Sequence, residues 1–300
     1  MSDYLWDGTG SDPEIEELER LLSPLAYTPE TVEEAPQQPQ PSTPSNLRIV
    51  GLLAAVVLAA VGLRGLFSDT DSWQMTTLDG VSPCGEEACE LQVGDWLETD
   101  GETRMLLEVA DIGTMEVAPD TRLRLKATGE NEHRLELASG RVDAVVVAPP
   151  RLLIVETPAA TAVDLGCAYT LEVDEAGDGS LVVSSGWVAL EVEGYAAFVP
   201  AGAEAAMSAT LGPGTPMFWD APDALQALNE GGSLTAALDA ARVQDTLSLW
   251  HLLQTADNKV AVLERIEALV PSSTTNRDAL LQGDPKALEA LRTTLEPAWL

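Results

Sequence analysis

Between residues 75 and 207 apolar side chains recur at every second position, and glycine and acidic turn residues cut the run into short pieces. That period puts alternate side chains on opposite faces of an extended chain, so the region is constrained to sheet with one face of each strand buried. Ten strand segments follow: residues 105–109, 114–117, 122–126, 134–137, 142–147, 152–155, 169–173, 181–183, 188–192 and 197–199. Turn chemistry such as Ser185-Gly186 and Glu193-Gly194 separates them. The fold class expected for residues 75–210 is therefore mainly β, an antiparallel sandwich or a β-solenoid-like stack, and no repeat period chooses between the two. From residue 218 the apolar period becomes helical. Segments 220–230, 233–242, 245–255, 258–270, 276–282 and 284–295 each start on a capping residue and end on a breaker or turn, which predicts a C-terminal α-helical module over residues 218–300.

A second constraint lies upstream. Residues 49–67 are apolar apart from Arg64, and as a helix they span about 28 Å, close to the ~30 Å of a bilayer core. Arg48 and Arg64 can reach the headgroups. Ten acidic residues and two arginines precede the run, unlike the basic start of a cleaved leader, so one transmembrane helix is expected over residues 48–67. Residues 28–47 are a Pro-rich linker. In residues 1–27, Ser11 or Asp12 caps a short helix with Pro13 at its first position, and Ile15, Leu18, Leu21, Leu22 and Leu25 form one apolar stripe. A helix of about twelve residues is marginal alone in water. The stripe is either a weakly populated helix on a tail or a peptide that folds on docking to a protein partner, with Tyr4, Leu5, Trp6, Ile15, Leu18 and Leu22 as contacts.

Charge narrows the partners. The net charge of -33 excludes general nucleic-acid binding, which needs Lys and Arg to displace counterions. A membrane and a protein remain as partners, and no small-molecule substrate is evident. Arg122, Arg124 and Lys126 alternate with Leu123 and Leu125 and so share one strand face, either a solvated face or a docking patch for an acidic partner. Two histidines and three cysteines give no catalytic constellation and no metal set, so no cofactor is expected and the chain does not read as an enzyme. Cys84 and Cys89, in Cys-Gly-Glu-Glu-Ala-Cys, are either a disulfide or two unrelated thiols. Cys167 reads as an inert buried thiol.

The strand region also carries turns in a recognisable order. Leu91-Gln-Val-Gly-Asp95-Trp-Leu-Glu-Thr99 is followed by Val117-Ala-Pro-Asp-Thr121, Leu137-Ala-Ser-Gly140-Arg-Val142, Thr157-Pro158, Gly166-Cys-Ala-Tyr169 and Gly186-Trp-Val188. Over about 115 residues this series resembles the FecR domain, with its opening strand ending in threonine, Leu-x-x-Gly-x-Val turn, Thr-Pro step, Gly-Thr-x-Phe strand and Gly-x-Val strand. Here Gly166-Cys-Ala-Tyr169 stands where that family has Gly-Thr-x-Phe. The resemblance implies a single-pass regulator of a bacterial inner membrane, with its N-terminus cytoplasmic and its C-terminal domain periplasmic, that passes a signal to a sigma factor. The cytoplasmic part is shorter than a full helical anti-sigma domain and lacks its zinc-binding His and Cys residues. An envelope structural or adaptor protein of the same topology, transmitting no signal, is the alternative.

Overall fold

The computed structural model describes residues 72–82, 89–271, 273 and 276–299. The expected segments 1–27, 28–47 and 48–67 lie outside these residues, and among the described residues no helix is long and apolar enough to cross a membrane. The strands are β1 (Ser72–Asp79), β2 (Cys89–Gln92), β3 (Trp96–Glu98), β4 (Arg104–Val109), β5 (Gly113–Val117) and β6 (Arg122–Ala127). The long β7 (His133–Val146) follows, then β8 (Leu153–Glu156), β9 (Thr161–Asp164), β10 (Ala168–Val173), β11 (Gly179–Ser185), β12 (Trp187–Val192), β13 (Tyr195–Pro200) and β14 (Ala203–Ser208). Two-residue strands β15 (Gly212–Pro213) and β16 (Met217–Phe218) add to β14.

Two sheets share β7. Its second half pairs with β5 and β10 in the order β2-β1-β4-β5-β7-β10-β11-β14, and its first half pairs with β6 and β8 in the order β3-β6-β7-β8-β9-β12-β13. Every pair is antiparallel except β7–β8. This selects antiparallel sheets over the solenoid that the sequence left open. Alternate residues of both sheets, among them Met105, Leu107, Leu125, Leu135, Leu171 and Val188, meet in one core.

Chain length shows why β7 must fold over. Straight, its fourteen residues would place His133 about 44 Å from Val146. Yet Leu153 pairs with His133, and the link from Val146 to Leu153 reaches at most about 25 Å. The strand therefore bends sharply, by about a right angle or more, where it passes from one sheet to the other. Gly140 supplies the bend with φ +96°, and a Cβ there would stand 2.3 Å from Thr121 Oγ1. Residues 134–137 and 142–147, expected as two strands around a turn at Leu137–Val142, are thus one strand bent at a glycine.

The helices are α1 (Asp223–Gln226), α2 (Leu234–Ala240), α3 (Thr246–Thr255), α4 (Lys259–Leu269), α5 (Arg277–Leu281) and α6 (Pro285–Leu295). Ser233, Asn258, Asn276 and Asp284 cap α2, α4, α5 and α6 through their side chains, as their residue types predict. The helix expected over residues 220–230 is instead one α turn after Pro222 that tightens into a 3-10 turn over Ala227–Glu230. The module packs on β12 and β13. Phe198 lies 6.1 Å from the Trp250 ring, Trp187 6.2 Å from Trp299, and Tyr195 Oη is 3.1 Å from His251 Nδ1. Trp250 Nε1 donates to the Leu288 carbonyl and Trp299 Nε1 to Thr246 Oγ1, both at 2.9 Å, so these rings join α3 to α6 and to the chain end. Burial holds the His251 imidazole neutral, with a pKa pushed down to about 3.

Two consequences are measurable. Gly140→Ala is expected to lower unfolding stability by about 2–4 kcal/mol in urea titrations, from backbone strain and overpacking against Thr121. Gly129→Ala, with open space around the new methyl, is expected to stay within about 0.5 kcal/mol. Because the folded-state pKa of His251 is depressed, its contribution is fully present above the unfolded value of 6.5 and is lost as pH falls toward about 3. Urea midpoints of the wild type should therefore fall more steeply between pH 7 and 4 than those of His251→Gln. Parallel curves would show that His251 does not carry this dependence.

Candidate functional site

A cleft of about 700 Å³ opens beside the first residue of β7. Its walls come from β1 (Ser72, Trp73, Gln74), the β4–β5 turn (Ala110, Asp111, Ile112), the β6–β7 link (Thr128 to Glu130) and the link into β8 (Pro149, Leu152). His133, the first residue of β7, lines it and is only 4% exposed. The Trp73 indole N–H donates to Thr128 Oγ1 at 2.9 Å, and Thr128 Oγ1 lies 2.7 Å from His133 Nδ1. The Trp73 ring meets the imidazole edge-on at 5.9 Å. Burial lowers the His133 pKa, against a smaller opposing effect of Asp111, and so favours neutral imidazole. Since the hydroxyl of Thr128 both donates and accepts, either ring tautomer is satisfied at Nδ1.

Nε2, the other ring nitrogen, has no protein hydrogen-bond partner and is not sealed in the core. Glu108, Asp111 and Glu130 also line the cleft, and none has an ion-pair partner among the described residues. No Lys or Arg lines it. The site is therefore a negatively charged opening with a neutral, hydrogen-bonding imidazole in its wall.

Arg122, Arg124 and Lys126 do share a face of β6, but that face is electroneutral. Arg122 pairs with Glu98 at 2.8 Å, Arg124 with Glu136, and Lys126 with Glu156, while Arg134 bridges Glu156 and Glu132. Both Arg122 and Arg124 lie over the Trp96 ring, at 3.7 and 4.7 Å from its centroid. The basic rim read from β6 alone is cancelled because β3, β7 and β8 each bring a carboxylate beside it. Such half-exposed pairs contribute about 0.2–1 kcal/mol each, and they leave no excess positive charge for an acidic partner.

A buried polar group sits between β9 and β10. Asp164, 2% exposed, accepts from the Gly166 amide and from Cys167 Sγ, both at 2.6 Å. Burial raises the Asp164 pKa, and burial followed by the neighbouring carboxylate pushes the Cys167 thiol up. Cys167 is thus a buried, unreactive thiol that donates where a threonine hydroxyl would. Cys89 is buried at the start of β2, whereas Cys84 lies outside the described residues, as do Tyr4, Leu5, Trp6, Ile15, Leu18 and Leu22. Sequence reasoning did not find Trp73, Thr128 and His133. The available signal was a lone histidine opening a strand segment, with no motif to link it to Trp73, sixty residues earlier.

The matched interval begins just before β3 and ends inside β12. Residues 95–189 match the FecR protein family model. The FecR match thus includes the shared strand β7, the threonines around its bend and the Asp164–Cys167 turn, and it supports a regulatory rather than catalytic role. Two crystal structures of a candidate anti-sigma factor from Parabacteroides distasonis ATCC 8503, at 1.65 and 2.50 Å resolution, are similar at 15% identity with a TM-score of 0.37. The alignment covers 46% of this chain and 65% of that one. No curated protein sequence matches the chain.

The Asp164 turn makes a prediction within the FecR-like region. Cys167→Thr keeps a donor for the buried carboxylate and should stay within about 1 kcal/mol of wild type. Cys167→Val has similar bulk and no donor, and should cost about 1–3 kcal/mol in thermal or urea unfolding. Equal stability of the two variants would show that the thiol–carboxylate contact has no role in the fold.

Proposed function

We propose that this chain is a membrane-anchored FecR-like regulator in which an extracytoplasmic β domain senses a ligand or partner and acts through one span on a short cytoplasmic segment. The observation that carries this reading is the FecR family match over residues 95–189. The apolar stretch at residues 48–67 is long enough for the span. The stripe of Ile15, Leu18 and Leu22, with Tyr4, Leu5 and Trp6 upstream, is suited to dock as a short helix in an apolar groove of a protein client, a sigma factor on this reading. A Cys84–Cys89 disulfide belongs to the same proposal, since a periplasmic location would oxidise the pair. The helical module over residues 218–300 contributes as a rigid cover on β12 and β13.

Site-specific photo-cross-linking in cells tests this reading. With the probe at position 6 or 18, a sigma factor is expected among the products, and Leu18→Asp together with Leu22→Asp should abolish that product while the protein still accumulates in the membrane. Cross-linking to no client under any growth condition would replace the regulatory reading with that of an envelope adaptor.

A further inference from the structure

We propose that the β domain rests on the bilayer through an exposed apolar rim of Val145, Val147, Pro149 and Pro150, and that the surface it meets is zwitterionic lipid. The contact rests on the single-pass reading of the chain, because the apolar stretch at residues 48–67 is what brings the domain to a membrane.

Register places the rim at one end of one sheet. Met75 pairs with Leu107, Val109 with Gly113, Gly113 with Val146, and Val145 with Ala168, so the start of β1, the β4–β5 turn, the exit of β7 and the entry of β10 lie together. Ser72, Ile112 and Pro149 line one cleft, and the Val147 amide donates to the Ile112 carbonyl at 2.8 Å. Polarity changes along β7 toward this end. Its outward side chains run Arg141, Asp143, Val145, Val147. The first two form an ion pair at 3.0 Å, whereas the valines are 54% and 85% exposed and lead into exposed Pro149 and Pro150. A sheet face turned to water ordinarily carries polar residues at such positions. The turns at the other end of the sheet present Asp100, Asp120, Glu175 and Asp178 beside the exposed Val81.

Chain reach selects the occupant. From residue 67, the end of the apolar stretch, to Ser72 the backbone spans at most about 18 Å. The tether therefore draws to the bilayer the end of the sheet that carries the valines. Four apolar side chains are too few to hold a free protein on lipid, and they suffice at the high local concentration that a short tether imposes. Charge selects the lipid. Glu108 and Asp111 stand beside the rim, and Arg151, next to Pro150, is taken up by Glu191 at 2.8 Å, so anionic headgroups would be repelled.

The test uses the full chain in phosphatidylcholine nanodiscs that contain a shallow spin-labelled lipid as quencher. A fluorescent amino acid is placed by codon suppression at position 147, at position 150, or at position 175 in the β10–β11 turn at the far end of the sheet. Quenching is expected to be severalfold greater at 147 and 150 than at 175, and to weaken when phosphatidylglycerol replaces part of the phosphatidylcholine. Val145→Asn together with Val147→Asn should lower the quenching at 150 to the level seen at 175. Equal quenching at 147 and 175, quenching at 150 that survives the double substitution, or quenching that rises with phosphatidylglycerol would each overturn the contact. Carbonate extraction of cell membranes tests the span separately: release of the chain would overturn the span and this contact with it, whereas retention with equal quenching at 147 and 175 would overturn the contact alone. The comparison of 147 with 175 needs neither asparagine and stands even if the double variant unfolds.

Discussion

The bend in β7 depends on two buried threonine hydroxyls. Thr99 Oγ1 donates to the Ala118 carbonyl at 2.7 Å and accepts from the Thr121 amide at 2.9 Å. Thr121 Oγ1 in turn accepts from the Arg141 amide at 3.0 Å, next to Gly140. A bend interrupts ladder hydrogen bonds, and an unpaired buried amide costs about 1–3 kcal/mol, so a strand folds back only where side chains replace the lost partners. Thr99 directly follows β3, Thr121 directly precedes β6, and Gly140 leaves the space that Thr121 fills. With the bend fixed, one strand serves both sheets, its two halves pack on the common core, and its first residue, His133, lines the cleft.

The helical module answers a different constraint. An antiparallel sheet normally buries one face, and its strands alternate. In β8, β9 and β12, however, three residues in succession are buried: Leu153–Ile154–Val155, Ala162–Val163–Asp164 and Val188–Ala189–Leu190. Successive burial means both faces are covered, and the contacts of Phe198, Trp187 and Tyr195 with α3 and the chain end show the helices at the β12–β13 side. The module therefore belongs to the same folded body as the strands, and the apolar face it covers would otherwise be exposed. The Tyr195–His251 pair makes this contact sensitive to acid, because burial disfavours the imidazolium and, among the described residues, no carboxylate offsets it.

The sequence was most legible where local chemistry and tertiary demand agree. Period-two alternation located most strands of both sheets, and Ser233, Asn258, Asn276 and Asp284 marked four helix starts, because capping is a contact between near neighbours in the chain. Ser139-Gly140 misled because glycine after serine is ordinary turn chemistry, and only the pairing of the two halves with different strands, rather than with each other, shows that the chain bends there without forming a hairpin. The shared face of Arg122, Arg124 and Lys126 was legible from alternation, whereas the carboxylates that pair with it were not, since they arrive from β3, β7 and β8, 12 to 30 residues away. His133 was illegible for the same reason. Its partners Thr128 and Trp73 come from the β6–β7 link and β1, and pairing across a sheet follows register, which alternation alone does not encode.

The position of the cleft bears on how a sensing domain of this shape could act. A ligand shifts an equilibrium only by binding one state more tightly than another, so a site matters for signalling where its walls belong to segments that can separate. Here the walls are the start of β1, the β4–β5 turn and the β6–β7 link, held in register by the Trp73–Thr128–His133 hydrogen bonds. Ser72 and Trp73 are also the segment that follows the apolar stretch at residues 48–67 most closely in the chain. Like charges on the β4–β5 hairpin and the β6–β7 link repel across the opening, while the Trp73–Thr128–His133 hydrogen bonds tie β1 to that link, so the rim of the cleft sets repulsion against a hydrogen-bonded chain with the core around β7 as its frame.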